Sequence, residues 1–136
     1  MFKSLGKIQV KNGVRIIADW DLIRYYHKLI DYHNYRTEKL QLPAHGAHIT
    51  LINPKIHKVN WKLAEKFAEK EVEFVYYPEK TFISRVNYWI PVECEFAESL
   101  KKILGVVDNS RYLGLHLTVC NKKFNLNLIN YNNNLK

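Results

Sequence analysis

The stretch that decides the fold is a hexapeptide, Gly46–Leu51 (GAHITL), which returns later in the chain as Gly114–Val119 (GLHLTV). Both copies follow the pattern glycine, apolar, histidine, apolar, threonine, apolar. Alternation of apolar and polar residues is typical of a strand that is buried on one face only. The repeat therefore predicts two strands, Ala47–Ile52 and Leu115–Cys120, each with its histidine and threonine on the same face.

The residues outside the repeat predict further strands and three helices. Asn12–Gly13 lies between two β-branched runs and predicts a two-residue hairpin turn. Asn60 is an N-cap residue, and Gly105 is placed to follow the end of a helix. The predicted strands are Lys7–Val10, Val14–Ala18, Glu71–Tyr76, Thr81–Val86 and Tyr88–Val92. The predicted helices run from a cap at Asp19 or Asp21 to about Tyr32, over Trp61–Lys70, and over Phe96–Leu104.

These elements follow one another as ββα-β-α-βββ-α-β, which indicates an α+β fold with mostly antiparallel pairing. The segment Thr37–Gly46 is a polar connection, and no stretch of the chain has the composition of a linker between domains. Residues 1–136 are therefore expected to form a single domain. Within it, residues 125–136 are expected to be a frayed tail or a closing edge strand.

Composition narrows the class of the protein. The chain has 136 residues, of which 47% are hydrophobic and 13% aromatic, enough for a core in one domain. Its net charge of +8 favours an anionic partner such as a nucleotide, RNA or phospholipid, although charge also serves solubility alone. No apolar run reaches the roughly 18 residues of a membrane span, and Met1–Gln9 lacks the apolar stretch of a signal peptide. With only Cys94 and Cys120, we expect a cytoplasmic protein with no membrane partner.

The paired motifs carry the residue types that cleave a phosphodiester without a metal ion. One neutral histidine can take a proton from the attacking hydroxyl, and a second, protonated histidine can give one to the leaving oxygen. Threonine hydroxyls can donate hydrogen bonds to the phosphoryl oxygens, where charge builds up. The predicted catalytic residues are His48, Thr50, His116 and Thr118. The alternative is a purely structural role, in which each histidine lies in the core or at a sheet edge and bonds to the backbone. A matched pair of motifs favours this alternative less than a single motif would.

These residues resemble a known family. Paired His-x-Thr/Ser motifs half a domain apart are the signature of the 2H phosphoesterase superfamily, and His48–Thr50 and His116–Thr118 match both motifs. The resemblance implies a bilobal α+β fold in which antiparallel sheets flanked by helices surround a central cleft. The context Gly46–Ile52, the opening Asp21–Tyr26 and the short length look most like the phage anti-CBASS protein 1 branch. Members of that branch cleave the cyclic di- and trinucleotides that activate bacterial CBASS defence.

Further residues are candidates for substrate binding. Tyr88 and Trp89 lie on one predicted strand and face opposite ways, so one belongs to the core and the other can stack on a base. We favour Trp89 for the site. Lys122 is expected to bind phosphate, with Arg85 and Arg111 as further candidates.

Histidine and cysteine residues near the motifs allow two other chemistries, metal binding and a thiol nucleophile. His45, His48 and His116 could be metal ligands. However, His45 and His48 are three residues apart, so on a strand their side chains would point to opposite faces, and no carboxylate adjoins either motif. No metal and no cofactor are therefore expected. By alternation Ile52 and Cys120 share the motif face, which makes Cys120 a candidate nucleophile. A small buried thiol is the commoner role for such a cysteine.

The leading hypothesis is a metal-independent phosphodiesterase that hydrolyses 3′–5′ bonds of cyclic di- and trinucleotides. An enzyme that acts on RNA 2′,3′-cyclic phosphates or 2′-5′ oligoadenylate would use the same residues. A sponge would bind a cyclic nucleotide in the same cleft and release it intact. A basic RNA-binding module would bind RNA regardless of the two histidines, with an affinity that falls steeply with salt. The expected partner is a small cyclic oligonucleotide rather than a long nucleic acid, in the bacterial host cytoplasm if a phage encodes the protein, and a homo-oligomer is left open.

Overall fold

The structure is a computed structural model that describes residues 1–33, 40–108 and 114–122. Its elements in chain order are β1 (Phe2–Val10), β2 (Val14–Ile17), α1 (Trp20–His33), β3 (Leu40–Gln41), β4 (His48–Ile52), α2 (Trp61–Glu65), β5 (Glu71–Tyr76), a 3₁₀ turn (Pro78–Lys80), β6 (Phe82–Ile83), β7 (Asn87–Glu93), α3 (Glu95–Ile103) and β8 (His116–Lys122). The predicted tail at 125–136, Arg111 and part of the predicted connection after Thr37 lie outside the described residues.

The strands form one antiparallel sheet that closes on itself. β1 pairs with β2 and β5, β2 with β4, β4 with β8, β8 with β7, and β7 with β5. These six strands make a closed antiparallel barrel in the order β1-β2-β4-β8-β7-β5, and the short strands β3 and β6 extend the sheet at β8 and β7. The α+β class and the antiparallel pairing predicted from the sequence are confirmed.

The barrel consists of two halves that share an order of elements. The first half runs β1, β2, α1, β4, and the second runs β5, β7, α3, β8. Around the barrel each half supplies three neighbouring strands, and its last strand carries one copy of the repeated hexapeptide. Because β4 and β8 are neighbours, the fold places the two copies side by side.

The core lies between the apolar face of the sheet and the helices. Helix α1 packs on β8 and β3, and α3 packs on β4. Seven large side chains of the strands have no exposed surface, namely Ile8, Ile16, Ile49, Phe74, Ile90, Leu117 and Val119. Burial of each such side chain contributes about 1.5–3 kcal/mol, so the apolar positions of both hexapeptides hold the sheet to its helices. Of the helices in the described ranges, none is both long and apolar enough to cross a membrane.

The helices begin where the sequence predicts. Asp19 Oδ1 accepts a hydrogen bond from the backbone N–H of Asp21 (2.9 Å), so of the two predicted caps Asp19 is the one that starts α1. Asn60 Oδ1 accepts from the N–H of Leu63 (3.2 Å) and caps α2. Gly105 follows α3 with a φ of +75°, a conformation that a side chain would strain.

Two elements are shorter than predicted because other backbone bonds compete with them. Helix α2 ends at Glu65 rather than Lys70, since Glu69 N–H donates to Ile8 O (2.8 Å) and Ile8 N–H donates to Lys70 O (2.9 Å). The strand predicted over Thr81–Val86 is limited to β6, because Ser84 Oγ accepts from the N–H of Asn87 (2.9 Å) and turns the chain.

Both motif strands carry a β-bulge directly after the threonine. Val14 and Arg15 of β2 pair with Ile52 and Thr50, and Tyr88 and Trp89 of β7 pair with Cys120 and Thr118, so each motif strand has one extra residue. The expectation that Ile52 and Cys120 share the motif face is therefore wrong. Beyond the bulge the alternation of faces shifts by one residue, and both side chains are buried, at 1% and 0% exposure.

Candidate active site

The four polar residues of the repeat lie on one face of two neighbouring strands. They are His48, Thr50, His116 and Thr118. The central apolar residues of the two copies, Ile49 and Leu117, pair directly, which sets the histidine of each copy opposite the threonine of the other. Side chains that are directly opposite have Cβ atoms about 5 Å apart. The pairing thus groups two imidazoles and two hydroxyls, all at least partly exposed, over a buried apolar row.

The first residue of each hexapeptide fixes the ring of its histidine. His48 Nδ1 lies 3.0 Å from Gly46 O, and His116 Nδ1 lies 3.1 Å from Gly114 O. A carbonyl oxygen only accepts, so each Nδ1 carries a proton and donates it. The Nε2 atom of each neutral ring is then the one with the lone pair. Both glycines have a positive φ, +82° and +83°, which explains why a glycine occupies this position twice.

The environment of His48 favours its neutral form. Burial lowers the pKa of His48, and the positive charge of Arg15 and the neighbouring rings of His45 and His116 lower it further. The hydrogen bond to Gly46 acts in the opposite direction but does not cancel these effects. At neutral pH His48 therefore holds a lone pair on Nε2 and can accept a proton.

His116 has an aromatic neighbour instead. The ring of Trp89 stacks on the His116 ring, with centroids 4.6 Å apart and planes at 28°. The ring of Phe82 contacts Trp89 edge-on, with centroids 5.0 Å apart. Asn87 fixes the indole: with its amide oxygen toward Trp89 Nε1 (3.3 Å), its nitrogen donates to Asn121 Oδ1 (2.7 Å). Tyr88 and Trp89 face opposite ways, as predicted. The role of Trp89 in binding a base stays a prediction, because its ring lies against His116.

The remaining predicted binding residues divide between core and site. Tyr88 is only 7% exposed and belongs to the core, so it is not available to stack on a base. Lys122 lines a cavity together with His48 and Thr118, and its Nζ lies 5.7 Å from the centroid of the Tyr88 ring. Arg111 is outside the described residues.

Arg15 is a residue of this site that the sequence did not point to. It pairs directly with Thr50, and its Nε donates to Gln9 Oε1 at 2.7 Å. Gln9 is in turn its partner on β1, so a polar row runs Gln9, Arg15, Thr50, His116 across four strands. Alternation along β2 places Arg15 away from the core, but the pairing of β2 with β4 cannot be inferred from local sequence.

Two cavities meet at the motif residues, and both are lined by His48 and His45. The first, about 380 Å³, also contains Thr118 and the amides of Asn87 and Asn121. The second, about 420 Å³, contains Thr50. His116 lines neither cavity, so the motif histidine that the two cavities share is His48. A ligand with its reacting atom at His48 would therefore extend into a space on either side.

The metal and cysteine alternatives find little support in the geometry. His45 lies in a turn rather than on β4, with its ring centroid 6.4 Å from that of His48. In the described ranges no three His, Cys, Asp or Glu side chains are grouped so as to hold a metal ion. Burial raises the pKa of Cys120 to about 12, which leaves its thiol protonated and unsuited to be a nucleophile.

Comparisons of the chain with protein-family models, with curated proteins and with solved structures gave no match.

Proposed function

We propose that this protein is a metal-independent phosphodiesterase of the 2H type that hydrolyses 3′–5′ bonds of cyclic di- and trinucleotides. One observation carries the proposal. Two histidines, each held by a glycine carbonyl through Nδ1, present Nε2 on the same sheet face beside two threonine hydroxyls. This is the set of groups that an in-line attack on a phosphodiester needs.

The reaction starts with the ribose 2′-hydroxyl next to the scissile bond. His48 Nε2 takes the hydroxyl proton while the 2′-oxygen forms a bond to phosphorus. The bond from phosphorus to the 5′-oxygen breaks, and protonated His116 gives that oxygen its Nε2 proton. The product is a 2′,3′-cyclic phosphate with a released 5′-hydroxyl. Water then opens the cyclic phosphate with the two histidines in exchanged roles.

The assignment of base and acid follows from the surroundings of the two rings. The base must be neutral, and burial together with Arg15 lowers the pKa of His48. The acid must be an imidazolium, and the face of Trp89 on which His116 stacks is a surface that attracts cations.

Charge that builds on the non-bridging oxygens has three donors close by. Thr50 and Thr118 each lie opposite a catalytic histidine, and Arg15 lies opposite Thr50. Loss of one such donor typically costs about 10²–10³ in rate where it is well aligned.

The proposal includes the architecture of the 2H superfamily. Its two lobes would be the two halves of the barrel, β1-β2-β4 and β5-β7-β8, and its cleft the pair of cavities at the motif residues. The matching element order of the halves supports this assignment. We place the activity in the cytoplasm, where the buried thiols of Cys94 and Cys120 would stay reduced.

The test is a cleavage panel of cyclic di- and trinucleotides, 2′-5′ oligoadenylate and RNA with a 2′,3′-cyclic phosphate end. We expect linear products from the cyclic substrates, no effect of EDTA, and loss of nearly all turnover in His48→Ala and in His116→Ala. His57→Ala is the matched control, because His57 lies in the loop after β4, outside both copies of the repeated hexapeptide.

Full activity of either motif variant would overturn the mechanism. A cyclic dinucleotide that is recovered intact after tight binding would identify a sponge. Cleavage of the 2′-5′ substrate alone would keep the mechanism and change the substrate.

A further inference from the structure

The cavity of about 420 Å³ extends from the motif residues to two turns at the end of the strands. One is the hairpin turn at Asn12 and Gly13, which has three residues, Lys11–Gly13, rather than the predicted two, because Val10 pairs with Val14. In it Lys11 N–H donates to Gly13 O (3.1 Å). The other follows β4 at Asn53, whose Oδ1 accepts from the N–H of Lys55 (3.0 Å). Both turns line the same cavity as Thr50.

The two turns are held against each other by Gly13. A Cβ at this position would lie 2.7 Å from Ile52 O and 3.1 Å from Pro54 Cδ, and its φ is +128°. Only a glycine allows so close an approach. The contact fixes where Lys11 and Lys55 leave the backbone, so two cations on separate turns border one cavity.

The charge of this cavity is uniform. Its lining includes Lys11, Arg15 and Lys55 and no Asp or Glu. In the parts of the chain that the structure describes, none of these three cations is in a salt bridge. Lys11 and Lys55 also line a neighbouring cavity of about 700 Å³, whose lining includes Glu65, so only the cavity at the motif residues combines both lysines with Arg15 and no carboxylate.

The cavity on the other side of the histidines has a different chemistry. It presents the amides of Asn87 and Asn121 beside Val86 and Pro43, with Lys122 as its single cation. The amide of Asn87 is already bonded to Asn121 and to the Trp89 indole, so this side offers one cation, whereas the three cations of the other side suit a phosphate. The two sides of the candidate site are therefore not equivalent.

We propose that Lys11 and Lys55 bind a second phosphate of the substrate, one nucleotide away from the scissile phosphate at the histidine pair. This inference rests on the proposed function and adds where a second phosphate of the substrate binds. The substrate class is an oligonucleotide with at least two phosphates, rather than a terminal 2′,3′-cyclic phosphate. A cyclic dinucleotide and a linear dinucleotide with a 5′-phosphate both supply that group.

The experiment compares three substrates in wild type and in Lys11→Gln/Lys55→Gln. They are cyclic di-AMP and linear pApA, with two phosphates each, and ApA, with one. We expect the double variant to raise KM about tenfold for the two-phosphate substrates and to leave ApA cleavage unchanged. Lys28→Gln/Lys102→Gln is the matched control, because it removes the same charge from exposed lysines that line neither cavity.

Each outcome decides one of the two proposals. Equal losses on all three substrates, or no loss on any, would overturn the second-phosphate site. A loss on pApA but not on cyclic di-AMP would assign the site to linear substrates. If wild type cleaves none of them, the proposed function is wrong. Calorimetric Kd values for cyclic di-AMP, which need no turnover, then decide the site by whether the double variant binds about tenfold more weakly.

Discussion

The two halves of the barrel place the same hexapeptide in the same backbone setting. In each, a glycine with a φ near +80° turns its carbonyl toward the histidine two residues later. In each, a bulge directly after the threonine ends the polar face of the strand. The backbone therefore gives both histidines the same tautomer and the same ring orientation. It does not decide which histidine acts as the base and which as the acid.

The difference lies in one pair of equivalent neighbours. Arg15 pairs with Thr50 in the first half, and Trp89 pairs with Thr118 in the second, each on the strand next to the motif strand and each beside the bulge. The cation lowers the pKa of His48 in addition to the effect of burial, and the indole stacks on His116. Neighbours on other strands, rather than the motif itself, would then assign the two roles.

The largest expected effect comes from a substrate whose leaving group needs no proton, because such a substrate still requires the base but not the acid. With uridine 3′-(4-nitrophenyl phosphate), the departing nitrophenolate needs no proton. His116→Ala should then recover most of the activity that it loses on a dinucleotide, while His48→Ala should stay about 10²–10⁴-fold below wild type on both substrates. Steady-state kcat/KM on the two substrates measures this. Recovery in His48→Ala instead would exchange the roles, and recovery in neither would remove the distinction between the halves.

A smaller effect tests whether the glycine carbonyls position the rings. Gly114→Ala should lower kcat about 10–100-fold, because the alanine disfavours the positive φ and turns the carbonyl away from His116 Nδ1. Gly114→Asn should restore part of the rate, since asparagine tolerates this conformation. The ¹⁵N shifts of the His116 ring report the tautomer directly.

Gly105→Ala is the control for that substitution. Gly105 also has a positive φ, and at both glycines an added Cβ meets nothing within 4 Å. Both alanines should cost about 1–2 kcal/mol of stability. If both also lowered kcat equally, the effect of Gly114 would be a matter of stability alone.

The features of the candidate site that depend only on residues close in sequence could be predicted from the sequence. Alternation within the hexapeptide is enough to put a histidine and a threonine on one face and Ile49 or Leu117 on the other. The caps at Asn60 and Gly105 are equally local and are confirmed.

What the sequence could not give depends on pairing between distant strands. Arg15 joins the site only because β2 pairs with β4, and β1 is longer than predicted because Phe2–Lys7 pairs with β5. The bulges do have a local signal, since each threonine is followed by two apolar residues in succession. That break in alternation is what buries Ile52 and Cys120.

Arg15→Gln removes the positive charge that distinguishes the surroundings of His48, the proposed base, from those of His116. Without this charge the pKa of His48 rises, although burial still keeps it low, so His48 becomes protonated at a higher pH. The acid limb of the pH profile of kcat/KM should move to higher pH. The rate on the plateau should fall about tenfold, less than for complete loss of a well-aligned donor, because glutamine lacks the charge but keeps an N–H donor. Arg24→Gln, on the exposed side of α1, should change neither. An unmoved acid limb would show that Arg15 does not act on the base.

The smallest expected effect comes from substitution of Trp89, which stacks on His116, the proposed acid. Trp89→Leu keeps an apolar side chain beside His116 but removes the aromatic face, which is worth about 1 kcal/mol in such pairs. We therefore expect kcat/KM on a dinucleotide to fall roughly fivefold. On the nitrophenyl ester, where His116 gives no proton, the rate should not change. Trp89→Phe should retain most of the activity on both substrates, and Trp61→Leu, on α2, controls for loss of an exposed indole. An equal loss on both substrates would mean that Trp89 contacts the nucleotide rather than supporting the acid. In that case the two halves of the barrel would differ in what they bind and not in how their histidines react.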